Sequence, residues 1–280
     1  MFLPIAILLV CGSWQPEVDT RRRITSPLPS AASEEIVRHA ALHDTTPPMS
    51  VPAIDARDAG LTLVIEASTA CGSVALLRGD TLLQHRAFAM GVSREDALFP
   101  AVQAVLASAC VTPAQLESIV CGSGPGSFTS LRIAAAVAKG LAHATGVTLF
   151  AVPSLLLSAA AHDRAGEYVV HADALRGERY AMSVTIDATL QVRATGDVRR
   201  VSADSPEILS ADRHQLVVLG TSLVSSATRV VPDAAHLVRV QGWRQHGRVA
   251  VDEWEPAYGR LAEAQVKWEA MHQRPLPAPR

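Results

Sequence analysis

The sequence predicts an α/β protein built from two successive units. Three observations predict it. Short β-branched and leucine-rich runs alternate with longer alanine-rich stretches, a glycine-dense loop at 122–127 joins one such run to one such stretch, and a second set of strand-like runs follows a turn at 163–166. A chain of 280 residues with 49% hydrophobic content can bury one large core or two modest ones. Aromatic residues make up only 4%, so the packing must come from Ala, Val and Leu.

Taken in order, residues 1–60 stand apart from the rest. Residues 2–11 are apolar but too short to span a bilayer, and no cation precedes them as in a signal peptide. The stretch that follows mixes Arg21-Arg22-Arg23 with prolines, serines and acids and shows no period, which is the composition of a disordered extension. Met49 lies just upstream of the first strand, so residues 1–48 are also read as sequence ahead of a misassigned start. His39 and His43 have helical metal-binding spacing but no third ligand nearby.

The first unit is expected at 61–163. Runs at 61–65, 73–77 and 81–88 make a meander, with Gly79-Asp80 as the hairpin between the last two. Residues 94–110 read as a helix capped by Ser93, with Leu98, Val102, Val105, Leu106 and Ala109 on one stripe. Thr112-Pro113 starts a short helix, 118–121 is a strand, 128–145 a helix, 147–152 a strand and 153–162 a helix. In the second unit, at 164–272, strands are expected at 168–172, 179–186, 190–201 and 215–219. Helices are expected from Ser205-Pro206, at 222–227 and at 257–272, before a frayed tail at 273–280.

The glycine loop holds the densest local signal. Gly122, Gly124 and Gly126 ask for unusual backbone geometry or close approach, Pro125 stiffens the turn, and Ser127 or Thr129 can cap the helix that carries Arg132. Such a helix start attracts anions. A P-loop is excluded because no Gly-Lys-Ser/Thr ending exists, and the dinucleotide fingerprint fails on spacing. A tight strand-to-helix turn that binds nothing is the plain alternative.

The net charge of -2 provides no global basic field, so a nucleic-acid partner would need a local patch or another subunit. Cys11, Cys71, Cys110 and Cys121 lack CxxC spacing, which argues against zinc or a disulfide framework and fits a reducing, cytoplasmic compartment.

Four motifs then coincide. The glycine loop with its Phe-Thr-x-Leu-Arg continuation, the opening Ile65-Glu66 to Ser73-Val-Ala-Leu76, the segment Asp173-Ala-Leu-Arg176-Gly177-Glu178-x-Tyr180, and Glu255-Pro-Ala-Tyr258-x-Arg260 stand in the order found in the TsaB (YeaZ) family. The chain resembles that family over about 61–270. The resemblance implies the two-lobed actin/Hsp70/sugar-kinase (ASKHA) ATPase fold, each lobe a mixed sheet with flanking helices.

It also implies a role in making N6-threonylcarbamoyladenosine (t6A), beside the anticodon of tRNAs reading codons that begin with A. In that system TsaD transfers the threonylcarbamoyl group, TsaB is its non-catalytic dimerisation subunit, and the ATPase TsaE joins them. The metal-binding histidines of TsaD fall at Ser154 and Ser158 here. Serine hydroxyls do not replace imidazoles as ligands of a catalytic metal, so no catalytic residue and no metal are assigned to this chain.

By resemblance the two first-lobe helices form the partner surface, with TsaD or a second copy, and Leu98, Val102, Ala138 and Ala142 are assigned to it. Asp173, Arg176 and Glu178 are assigned to an interlobe or partner-facing ionic cluster, against the alternative of a solvated turn. No cofactor is expected on the chain alone; ATP or ADP is expected, if anywhere, at the interface of the complex. tRNA is reached only through the complex, and no membrane is involved.

Two other readings stay open. An ASKHA ATPase or small-molecule kinase is disfavoured by Glu66-Ala67, where the family has Asp-Thr. A peptidase, an old family label, lacks both His-Glu-x-x-His and the Gly-x-Ser-x-Gly elbow. Leu175, in place of an arginine, and Asp96, in place of a histidine, are further departures from the family pattern.

Overall fold

A computed structural model describes residues 60–90, 97–209, 214–218, 227–258 and 271–273. The expected extension at 1–59, the Ser93 cap, Asp96, the helix at 222–226, Arg260 and most of the terminal helix lie outside the described residues.

Strands β1 (Leu61–Glu66), β2 (Cys71–Arg78) and β3 (Thr81–Ala89) form an antiparallel meander. Two strands, β4 (Leu116–Gly122) and β5 (Thr148–Val152), join parallel on the other side of β1, giving the order β3-β2-β1-β4-β5. The central strand is apolar from Leu63 to Ile65 because both of its faces are covered. Its alternation divides them: Leu63 and Ile65 enter the core under the helices, while Val64 enters the core shared with the second sheet.

Helix α1 (Leu98–Ser108) and the 18-residue α2 (Phe128–Thr145) cover the first face. The described part of α1 begins later than the expected 94 and has no side-chain cap. Helix α2 ends on Gly146, whose φ of 73° provides the left-handed C-cap. Between α1 and β4, Pro113–Gln115 form a 3-10 turn in which the Gln115 side chain accepts the Thr112 N–H at 2.8 Å. The short α3 (Ser154–Ala159) is buried at all six positions, between the first sheet and the second.

The second sheet repeats the plan. Antiparallel β6 (Gly166–Leu175), β7 (Glu178–Ile186) and β8 (Val192–Ala194) form its meander, and β10 (His214–Val218) and β11 (Thr228–Val230) add in parallel, in the order β11-β10-β6-β7-β8. Strand β9 (Arg199–Ser202) also pairs with β7. The single strand expected at 190–201 is therefore two short ones. The strand order of each sheet, read outward from its meander, is the same, as the two-lobed ASKHA fold requires. A four-residue helix, α4 (Pro206–Leu209), starts at the predicted Ser205-Pro206.

The chain then returns to the first lobe, which the sequence did not suggest. A 3-10 turn (Ala234–Arg239) packs against the first meander, α5 (Trp243–His246) sets Trp243 edge-on to Phe150 at 5.1 Å, and residues 247–258 run as a strap along the first sheet. Ala151 N donates to Gly247 O at 2.7 Å and Val249 N to Leu149 O at 3.1 Å. Ala257 and Tyr258, expected to open the terminal helix, belong to this non-helical strap.

Candidate functional site

The end of β1 and the glycine loop after β4 are built as one unit. Glu66, the last residue of β1, is fully buried. One of its oxygens accepts the Ser68 N–H at 2.6 Å and the other accepts the Ser154 hydroxyl at 2.9 Å. Ser154 Oγ in turn accepts the Gly124 N–H at 3.1 Å, while Ser154 N donates to Gly124 O at 2.9 Å. Burial pushes the Glu66 carboxyl above the usual carboxylate range, and the bonds from Ser68 and Ser154 pull the other way. Burial likewise pushes the neighbouring Cys121 thiol up, so it stays neutral.

The glycines follow from this packing. A Cβ on Gly122 would sit 1.9 Å from Glu66 Oε2, and one on Gly126 would sit 2.1 Å from the Ser68 carbonyl oxygen. Gly124 has φ +88° and precedes Pro125 in a cis peptide, with the Ala257 carbonyl of the strap 2.7 Å from where its Cβ would stand. The loop's amides turn inward: Ser123 N donates to Val152 O, Gly124 N to Ser154 Oγ and Ser127 N to Ser68 O. Ser127 does not cap the helix with its side chain; its hydroxyl accepts from Ser130 Oγ at 3.0 Å. Thr129 and Arg132 are exposed on α2, and Arg132 lies over the Phe128 ring, whose centroid is 4.6 Å from that of Tyr258 on the strap. The Glu255-Pro-Ala-Tyr258 motif thus closes over the glycine loop, and Ala257 N donates to Ser123 O at 2.8 Å.

Ser154 and Ser158 both face inward. Ser154 is spent on Glu66 and Gly124, and Ser158 Oγ donates back to Ser154 O at 2.8 Å. Among the described residues no group of three or more His, Cys, Asp or Glu is placed to hold a metal ion.

The partner assignment to Leu98, Val102, Ala138 and Ala142 is corrected. All four are at most 1% exposed and belong to the first lobe's own core. Small residues on an alanine-rich helix mark close approach to the sheet as well as to a partner, and at these positions they pack into the lobe's own core. The exposed positions include Phe99, Gln103 and Ala107 on α1 and Arg132, Ala136, Gly140 and His143 on α2. Phe99 is 45% exposed, and a Cβ on Gly140 would meet nothing within 4 Å.

Asp173, Arg176 and Glu178 lie at the β6–β7 hairpin. Arg176 and Gly177 take φ of 55° and 77°, as a turn with two left-handed centre residues needs, and Glu178 pairs with Arg200 of β9 at 3.4 Å on the surface. The sequence reading missed a polar clasp between the lobes. Asp233, at the start of the 3-10 turn, accepts from His85 of β3 and from Ala235 N, and Ala234 N donates to Ser73 Oγ of β2. Burial alone would raise the Asp233 pKa, but His85, with help from His236 and the Ala235 N–H, holds it below the usual range. Neither Ser73 nor Asp233 carries a local pattern that would have revealed the pairing.

Comparisons with known proteins agree with this architecture. A family model described as TsaD, tRNA N6-adenosine threonylcarbamoyltransferase, matches residues 93–212. The tRNA threonylcarbamoyladenosine biosynthesis protein TsaB of Bacillus subtilis is 29% identical over 228 residues, spanning 74% of this chain and 96% of that protein. An uncharacterized protein of Mycobacterium tuberculosis is 35% identical over 120 residues, spanning 42% of this chain and 56% of its own length. Among solved structures, YeaZ from Pseudomonas aeruginosa superposes with a TM-score of 0.61 at 24% identity, covering 71% of this chain and 99% of that one. A crystal structure of a protein described as similar to peptidase YeaZ from the same organism gives a TM-score of 0.59 at 25% identity, covering 72% and 100%.

Proposed function

The chain belongs to the TsaB (YeaZ) family, and we propose that it serves t6A biosynthesis as a non-catalytic subunit that binds and activates TsaD. The observation that carries this reading is the inward commitment of Ser154 and Ser158. At the positions where the resemblance puts the histidines of the transferase, both side chains are buried in structural hydrogen bonds. A hydroxyl so placed offers no ligand to a catalytic metal.

The partner surface is the outward face of α1 and α2. Gly140 costs an exposed helix about 1 kcal/mol relative to alanine, and together with Ala136 it lets a partner helix come close. Phe99, exposed on α1, supplies an apolar anchor. No helix among the described residues is long and apolar enough to cross a membrane. TsaE and tRNA are reached through the complex.

The test is co-purification of the full chain with its cognate TsaD, paired with mass spectrometry of tRNA nucleosides from cells depleted of their own TsaB. The wild-type chain is expected to hold TsaD and restore t6A. Gly140→Arg and Phe99→Asp are expected to lose both while keeping the wild-type melting temperature. Retention of TsaD by both variants would overturn the placement of the interface, and a wild-type chain that folds yet restores no t6A would overturn the function.

A further inference from the structure

Two adjacent residues fasten the segment that leaves β11 to the first meander. Ala234 N donates to Ser73 Oγ of β2 at 2.9 Å. One residue earlier, His85 Nε2 of β3 stands 2.9 Å from Asp233 Oδ1 and 3.1 Å from Oδ2, so one ring nitrogen faces both carboxylate oxygens. The carboxylate is kept from swinging away because Oδ1 also accepts the Ala235 N–H at 2.7 Å. The His85 and Asp233 side chains are 21% and 18% exposed. That leaves water a path to the proton while sparing the pair most of the screening an open surface imposes.

The groups around the pair single out histidine as what changes charge near neutral pH. On β2 the residue paired with His85 is Ala75, and the Cys71 thiol further along is pushed up by burial and by Asp233, so it stays neutral. On β3 itself Arg86 alternates to the opposite face. Helices α1 and α3 carry no titratable side chain. Glu66, at the end of β1, feels the Asp233 charge, but its own oxygens are held by Ser68 and Ser154. Arg229 at the seam and Arg239 on the 3-10 turn are constant charges. His236, on the same turn, is the second histidine near Asp233. Burial would raise the Asp233 pKa, but His85 and then His236 hold it below its ordinary 3.8, so the acceptor stays ionised across the neutral range.

We propose that His85 is a proton-operated latch on the seam between the lobes: protonated, it holds Asp233 and keeps the 3-10 turn seated on the first meander; deprotonated, it lets the turn lift. Loss of the proton leaves the ring as a neutral donor at Nε2 or, in the other tautomer, with a lone pair facing two carboxylate oxygens. Both are weaker than an imidazolium–carboxylate bond. Because the folded state favours the protonated ring, the latch is full below the unfolded-state histidine value of about 6.5 and is lost as pH rises through the folded value.

The experiment is amide hydrogen exchange on the full chain at Ala234 and Ala235, comparing wild type with His85→Gln at each pH from about 5.5 to about 8.5. Glutamine keeps a hydrogen-bond donor but has no proton to lose. Taking the ratio of the two proteins at one pH cancels the intrinsic exchange rate and the titration of groups both share. At about pH 5.5 the wild-type amides are expected to exchange about tenfold more slowly than the variant's, the worth of one charge-assisted contact, and at about pH 8.5 at nearly the same rate. His236→Gln is expected to keep the wild-type pH dependence, and the Val64 amide in β1 is expected to be unchanged throughout. A ratio that is flat with pH overturns the proposal, and so does a pH dependence that disappears with His236 instead. An equal change at Val64 also overturns it, since His85 would then support the whole fold and not the seam.

Discussion

The two lobes repeat one strand order and differ at the exit of the central strand. In the first lobe β1 ends in a fully buried carboxyl, and the glycine loop, α3 and the strap close over it. In the second, β6 runs on into an open hairpin where a Cβ on Gly177 would meet nothing within 4 Å and Glu178 reaches Arg200 at the surface. One topology thus supports a packed end and a solvated one. Glycine at the first is demanded by atoms that would collide, and at the second only by a left-handed φ.

The buried titratable groups sharpen the same contrast. Glu66 is held above its ordinary pKa by burial, whereas Asp233, which carries the second lobe's contact to the first, is held below it by His85. Stability from Glu66 is complete below its unfolded-state pKa and is lost as pH rises through the folded value. Stability from Asp233 is present above its unfolded-state pKa and is lost as pH falls through the folded value.

The largest expected effect is that of Ala138→Arg. It places a charge in the first lobe's core and should cost about 4 kcal/mol or more, seen as loss of the folded state in urea unfolding. A stable variant that merely loses its partner would restore the partner assignment corrected above. Next comes Gly122→Val, whose Cβ would collide with Glu66 Oε2; about 3 kcal/mol of destabilisation is expected.

In the second lobe His171 is fully buried, and its pKa is lowered to about 4 by burial and by the nearby Arg179, with the Gln215 hydrogen bond opposing. A lowered histidine pKa means the folded state resists protonation. Stability from this site is whole above pH 6.5 and declines toward pH 4, by on the order of 2–3 kcal/mol, and His171→Gln should flatten that decline relative to wild type. An unchanged acid limb in the variant would remove His171 as its cause.

Glu66→Gln should act in the opposite direction. Wild type loses stability as pH rises from its unfolded-state value of 4.5, at up to about 1.4 kcal/mol per unit, and the variant does not. The smallest effect belongs to Gly177→Ala, about 1 kcal/mol, because only the left-handed backbone is strained and no neighbour is displaced. A larger loss there than at Gly122 would reverse the comparison between the lobes.

Much of the first lobe was legible in the sequence. The runs at 61–65 and 73–77, the Gly79-Asp80 turn and the alanine-rich helix after the glycine loop all stand where their patterns place them, since strand alternation, hairpin glycine and helix propensity act over a few residues. The face of α2 was not legible. On a helix with alanine at 134, 135, 136, 138, 142 and 144, composition cannot tell the side against β4 from the side against solvent. The second lobe's short strands β8, β9 and β11 were merged or missed because three or four residues carry too little period to register. Of the candidate site, the glycine loop was visible and its use was not. The motif suggests an anion cradle as readily as a clasp, and only the contacts to Glu66, Ser68 and Ala257 decide between them.

By itself, then, the sequence determined the two-unit α/β plan, the place of the glycine loop and the lack of histidines at 154 and 158, because each is a property of neighbours along the chain or of residue identity. Only the tertiary structure decided that Glu66 is sealed by Ser154, that the strap returns from the second lobe to cover the loop, that His85 meets Asp233, and which side of α2 is free. These pairings join residues 88, 134 and 148 positions apart in the chain. No local propensity reports on them, since they exist only once burial of the shared core has brought the two sheets together.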